Sequence, residues 1–305
     1  MFSIKNNEQD YFNAGSHIQV RRDYVVEDAF HAIIIGNKNP KSVFRIQFVD
    51  ADGEHEAGID GGGLFKEFMT LVTKKIFDPQ YTFFLETEKD RTLYPNPVSS
   101  QIPDFARYFR LFGILVGKAI YEGVLLKCTF AKFFLNHFVK KSNQVDDLQA
   151  LDPQLYENLL MVKYYDQSDV EDLCLTMSIN EDNFGVARHI PLVPMGEETP
   201  VTNDNRQIYI AKYANYILNQ RTREQTNAFV TGLRSVLPDA SLDLFFPDEI
   251  QKLISGGLNE ISVEDLMQNT RFHNYKVDER CLRSFSMDGC PEDKYEDTLY
   301  ILEFF

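Results

Sequence analysis

DFARYFRLFGILVGKAIYEG, residues 104–123, is the stretch on which the fold turns. Phe105, Tyr108, Phe109, Phe112, Val116, Ala119 and Ile120 recur at intervals of three and four, which puts them on one face of a helix. The helix begins after Asp104 and stops near Gly123. Its apolar face predicts a central core helix. Gly113 and Gly117 stand four residues apart, a spacing also found where helices meet in bilayers, but Lys118 and Glu122 cut the apolar run Leu111–Val116 far short of a span. Close helix packing in a water-soluble core is therefore the expectation.

Outward from this helix, Phe130, Phe133, Phe134 and Phe138 outline a second one. Upstream, Phe44, Ile46 and Phe48 alternate with Arg45 and Gln47, the period of a half-buried strand, and Asp52-Gly53 signals a turn. In EHEAGIDGGGLFKEF, Asp60 is placed to cap a helix whose apolar positions are Leu64, Phe65, Phe68, Leu71 and Val72, and Gly61–Gly63 open its entry. Downstream, Leu173, Leu175, Met177 and Ile179 alternate and predict a strand. Cap residues in PVTNDN, 200–205, precede a long helical region from Arg206 to Pro238, with Tyr209, Tyr213, Tyr216 and Ile217 on one face. The fold class is α+β, mainly helical, with a large helical part and a small α+β subdomain.

The chain has 305 residues, 44% of them hydrophobic, enough for a sizeable core. Its 46 acidic and 31 basic residues give a net charge of −15, which disfavours nucleic acid as a partner. The charge is uneven. Residues 1–150 carry 19 acidic and 18 basic side chains, whereas 143–205 carry 13 acidic residues against Lys163 and Arg188 alone, net −11. A field of that sign steers a basic partner toward the small subdomain, although acidic surface also serves solubility. The opening MFSIKNNEQDYF has no apolar signal core, and no stretch suits a membrane. Cys128, Cys174, Cys281 and Cys290 lack the spacing of a disulfide scaffold or a metal knuckle, so free thiols and a cytoplasmic setting are expected.

Chemistry is harder to read. Gly61-Gly-Gly-Leu-Phe-Lys66 lacks the ending of a phosphate-binding loop. The six histidines show no paired ligand spacing, so neither a metal site nor a cofactor is expected. Cys290 has no activating base readable from spacing alone.

Seven phrases add what spacing does not: YFNAGSHIQVRRDYVVEDAF (11–30), EAGIDGGGLFKEF (56–68), LYPNP (93–97), FGILVGKAIYEG (112–123), LDPQLYENLL (151–160), PVTNDNR (200–206) and EIQKLISG (249–256). In content and order they resemble the HECT-type ubiquitin ligases over roughly 11–270. The resemblance implies a HECT N-terminal lobe at 1–274, with 143–205 as the subdomain that docks a ubiquitin-conjugating enzyme. It implies a docking groove at Leu155, Leu159, Tyr165, Leu173, Leu175 and Tyr209. It also implies ubiquitin-protein transferase activity, with ubiquitin carried as a cysteine thioester and passed to a protein substrate.

Departures from the family begin at Thr270-Arg-Phe-His-Asn-Tyr275, where hinge glycines are replaced. Residues 275–305 read as a divergent hinge and insert followed by the start of a C-terminal lobe. The catalytic lobe, about a hundred residues long, is expected beyond Phe305. Cys290 precedes the lobe-like helix and stands in the wrong order to be the nucleophile, so no catalytic residue is assigned in this chain. Two alternatives remain open at this point: a noncatalytic adapter that binds conjugating enzymes, and a cysteine-dependent enzyme of another class using Cys290.

Overall fold

The computed structural model describes residues 15–50, 54, 63–165, 170–183, 186–238 and 242–257. The expectations for the turn at Asp52-Gly53, for Asp60, Gly61, Gly62, the hinge at 270–275, Cys281, Cys290 and the start of a C-terminal lobe before Phe305 lie outside them.

Strands β1 (Ser16–Arg21) and β2 (Phe44–Val49) pair in parallel, Ser16 opposite Phe44 through Arg21 opposite Val49. Parallel pairing requires a crossover, here α1 (Val25–Ala29) running into a π-helical stretch at Phe30–Ile35. Phe44, Ile46 and Phe48 are buried, as the alternation predicts. Helix α2 (Gly63–Ile76) buries Phe68, Met69, Val72 and Ile76. A short antiparallel pair, β3 (Phe84–Glu86) with β4 (Leu93–Pro95), leads through the LYPNP phrase, where Asn96 Oδ1 accepts from Val98 N at 3.0 Å. Then come α3 (Phe105–Glu122), α4 (Lys132–Phe138), α5 (Leu148–Leu151) and α6 (Pro153–Lys163). The antiparallel hairpin β5 (Ser178–Asn183) and β6 (Val186–Pro191) follows. Helices α7 (Arg206–Asn215), α8 (Arg223–Val236) and α9 (Pro247–Ser255) close the described region. The fold is mainly helical α+β.

The core forms around α3 packed on α8. A Cβ on Gly113 would lie 1.9 Å from Phe229 O, and one on Gly232 would lie 2.0 Å from Arg110 O, so the two backbones touch where both helices lack side chains. A Cβ on Gly117 would meet the Val236 side chain at 3.0 Å. Around this crossing Phe84, Phe130, Phe134, Phe138 and Phe229 interlock, Phe138 stacked on Phe229 at 5.2 Å and Phe134 edge-on to it at 5.2 Å. Lys118, the charge that ends the apolar run, is buried. Its Nζ donates to Ser42 O at 3.1 Å and to Glu122 Oε1 at 2.9 Å, tying α3 to the approach to β2.

Three local readings are revised. The helical region 206–238 is two helices, because a π-helical stretch at Tyr216–Gln220 and the break at Arg221-Thr222 separate α7 from α8. The strand expected over 173–179 starts only at Ser178: Val170–Leu173 is a 3-10 turn and Cys174 takes φ +50°, which an extended run does not admit. The alternation still marks extended backbone after that kink, since Leu175 O accepts from Val201 N at 2.8 Å and Met177 N donates to Thr199 O at 2.9 Å. Asn205 secures the turn before α7 instead of its first free amides, accepting from Thr202 N at 2.8 Å and donating to Pro200 O at 3.0 Å.

Candidate docking groove

Helix α6 is set by its own sequence. Asp152 accepts from Leu155 N at 2.8 Å and Pro153 occupies the first turn, a cap that fixes where the helix begins. Leu155 and Leu159, four apart, then share a face. Helix α7 packs against α6 and carries Tyr209. Arg206, opening α7, donates to Tyr165 O at 3.1 Å, and the Val201–Leu175 hydrogen bond joins the segment before α7 to Leu175. Leu173 ends the 3-10 turn two residues before Leu175. Local bonding thus ties the chain at Tyr165 and Leu175 to the N-terminal approach of α7.

The six predicted residues are not equivalent. Leu159 is 3% exposed and Tyr209 6%, so both belong to the core. Leu155, Tyr165, Leu173 and Leu175 are half-buried against it. Burial pushes the Tyr209 phenol up to about 12, with Tyr213, whose ring stands edge-on at 5.7 Å, adding to the shift. Large apolar side chains that sequence reading missed are exposed in the same segments: Tyr164 at 70% and Ile208 at 53%, with Met161 on α6. Ile208 and Tyr164 each adjoin a predicted residue, and the signal for Ile208 was present as an apolar residue off the buried face of α7.

Carboxylates surround these segments. Glu157, Glu171, Asp172, Glu197, Glu198 and Asp204 are all exposed. Glu181 is the exception, with its side chain 12% exposed. It pairs with Arg221 Nε at 2.8 Å and accepts from Tyr216 OH at 3.1 Å, which links β5 to the π-helical stretch. Burial, then Glu181, pushes the Tyr216 phenol up to about 12.

Groups suited to bond-making are scarce among the described residues. Burial raises the Cys128 thiol well above its ordinary range, leaving it protonated and inert. Cys174 is exposed, and its Sγ lies 3.8 Å from Asp172 O. No cluster of three or more metal-ligating side chains occurs among the described residues, and none of their helices is long and apolar enough to cross a membrane. The arrangement is suited to binding.

Comparison with known proteins identifies the family. The HECT-domain (ubiquitin-transferase) family model matches residues 70–287. The chain is 38% identical over 261 residues to the E3 ubiquitin-protein ligase UPL6 of Arabidopsis thaliana, covering 85% of this chain and 25% of that protein. It is 37% identical over 264 residues to the human ubiquitin-protein ligase E3B, again covering 85% and 25%. To the E3 ubiquitin-protein ligase HUL5 of Saccharomyces cerevisiae it is 35% identical over 290 residues, 93% of this chain and 31% of the relative. The chain belongs to the HECT-domain family. It spans a quarter to a third of the length of these relatives.

Proposed function

We propose that this chain is the conjugating-enzyme-receiving lobe of a HECT-type ubiquitin-protein ligase, a transferase of protein ubiquitination acting in the cytoplasm. In this reading residues 1–274 form the N-terminal lobe and 143–205 the docking subdomain, and 275–305 lead toward a catalytic lobe. The transfer cysteine belongs to the part of the whole protein that this chain does not span. Ubiquitin arrives on the conjugating enzyme, moves to that cysteine as a thioester and leaves to a substrate amine.

The observation that supports the reading is that apolar side chains in these segments are half-buried while the carboxylates along the same segments are exposed. In this reading the half-buried Leu155, Tyr165, Leu173 and Leu175 are the side chains that meet a partner's apolar anchor, and the buried Leu159 and Tyr209 support them from the core. The surrounding carboxylates speed the encounter with a basic partner and orient it.

Calorimetric titration of the chain with a panel of ubiquitin-conjugating enzymes tests this. Tyr165→Ala and Leu175→Ala are the informative variants, because these side chains are only half-buried and their loss spares the core. Each is expected to weaken binding by about 1–2 kcal/mol, typical of an interface anchor. Unchanged affinity in both, with unfolding midpoints preserved, overturns the groove assignment.

A further inference from the structure

On another part of the molecule, a cleft of about 460 Å³ opens between the end of α4, the π-helical stretch and the first turns of α8. Its volume suits a small molecule. Every one of its ten lining residues is polar, and none is a carboxylate, in a chain that carries 46 acidic side chains. Two lining residues are permanent cations, Lys141 and Arg223, both exposed. Lys141 Nζ lies 3.9 Å from the Phe246 ring centroid, and among the described residues neither cation makes an ion pair. Two cations lining one cleft, without a carboxylate in its wall, create a local field that favours an anion.

The rest of the wall is built and ordered. Asn136 Nδ2 donates to Asn143 Oδ1 at 2.7 Å, Asn143 Nδ2 to Asn219 Oδ1 at 2.9 Å and to Phe133 O at 3.0 Å, and Asn219 Nδ2 to Asn215 Oδ1 at 2.8 Å. This relay of amides fixes the side chains from both sides of the cleft before any ligand arrives, which lowers the ordering cost of binding. Burial holds His137 below its ordinary pKa, so at neutral pH the ring serves as a hydrogen-bonding group and not as a third charge. Amides and a neutral imidazole suit hydroxyl groups, and Arg and Lys suit a phosphoryl group.

We infer that this cleft binds a small phosphate ester of a polyhydroxylated molecule, with Arg223 and Lys141 on the phosphoryl oxygens and the asparagine-lined wall on the hydroxyls. The inference does not depend on the docking groove, which lies on α6, α7 and the segments at Tyr165 and Leu175.

Isothermal titration of the 305-residue chain with myo-inositol 1-phosphate, inorganic phosphate and myo-inositol tests it. The ester should bind saturably with one site per chain, inorganic phosphate at least about tenfold more weakly, and myo-inositol without measurable heat. The double variant Lys141→Gln/Arg223→Gln should weaken the ester by at least about tenfold. Asn227→Asp, which sets a carboxylate of the same size on an exposed lining position, should weaken it as well. All three substitutions are at exposed residues, and unfolding midpoints confirm that each variant folds. Absence of saturable binding, or unchanged affinity in both variants, overturns the site. Inorganic phosphate binding as tightly as the ester overturns the assignment of a polyol.

Discussion

Gly113, Gly117 and Gly232 decide how closely the two central helices approach, and a missing side chain at each does the work. Sequence spacing marked the first two, because a pair of glycines four apart on an apolar helix has a packing explanation. Gly232 went unread, since one glycine within a helical run does not disclose which backbone lies against it. The structure supplies Arg110 O as the answer. Gly113→Ala and Gly232→Ala should each destabilise the chain by about 2–4 kcal/mol, since the added methyl overlaps backbone that cannot move alone. Gly123→Ala is the contrast: nothing lies within 4 Å of its Cβ position, but φ is +69°, so a cost of about 1 kcal/mol is expected. Urea unfolding of the three variants checks both the order and the size. Lys118 shows the opposite limit of legibility. Its charge reads as an argument against a membrane span, yet its burial and its bond to Ser42 O follow from tertiary packing that no local pattern contains.

Among the elements, periodicity told inward from outward and failed where backbone geometry intervened. Helix α3 and strand β2 were legible because their apolar positions fit one period throughout. The run Leu173–Ile179 was half legible: the left-handed kink at Cys174 delays the strand, while hydrogen bonds to Thr199 and Val201 keep Leu175–Met177 extended. The break between α7 and α8 had no proline or glycine to announce it. For the candidate groove, spacing alone could not separate core from interface, because a face that packs on a neighbouring helix and one that packs on a partner carry the same residues. Burial now separates Leu159 and Tyr209, which lie in the core, from the four half-buried candidates Leu155, Tyr165, Leu173 and Leu175. The buried Tyr209 also makes a pH prediction. Its folded pKa of about 12 exceeds the ordinary value of 10, so the folded state holds the proton more tightly. That contribution to stability is complete below pH 10 and is lost as pH rises toward 12. Tyr209→Phe, which cannot ionise, should therefore flatten the alkaline fall in stability between those limits, as measured by denaturant unfolding at a series of pH values. An identical slope in both proteins would contradict the burial of the phenol.

For the whole molecule, charge is unevenly divided between regions. The net −11 segment at 143–205 holds the hairpin and most of the predicted groove, whereas the carboxylate-free cleft lies beside α4 and α8. Charge of one sign around an apolar anchor implies that conjugating-enzyme binding weakens as salt rises, mainly through slower association, because exposed pairs are screened beyond a Debye length of about 8 Å at physiological ionic strength. Stopped-flow association at several salt concentrations reads this directly, and a salt-independent rate would remove the steering role of the acidic segment. The central claim is that the face built by α6, α7 and the segments at Tyr165 and Leu175 receives the conjugating enzyme. Hydrogen–deuterium exchange of the chain with and without a bound ubiquitin-conjugating enzyme tests it most directly. The account predicts added protection at 153–165, 173–177 and 206–213, with β1 and β2 unchanged. Protection confined to β1, β2 and α2, with the α6–α7 face exchanging as in the free chain, would contradict it.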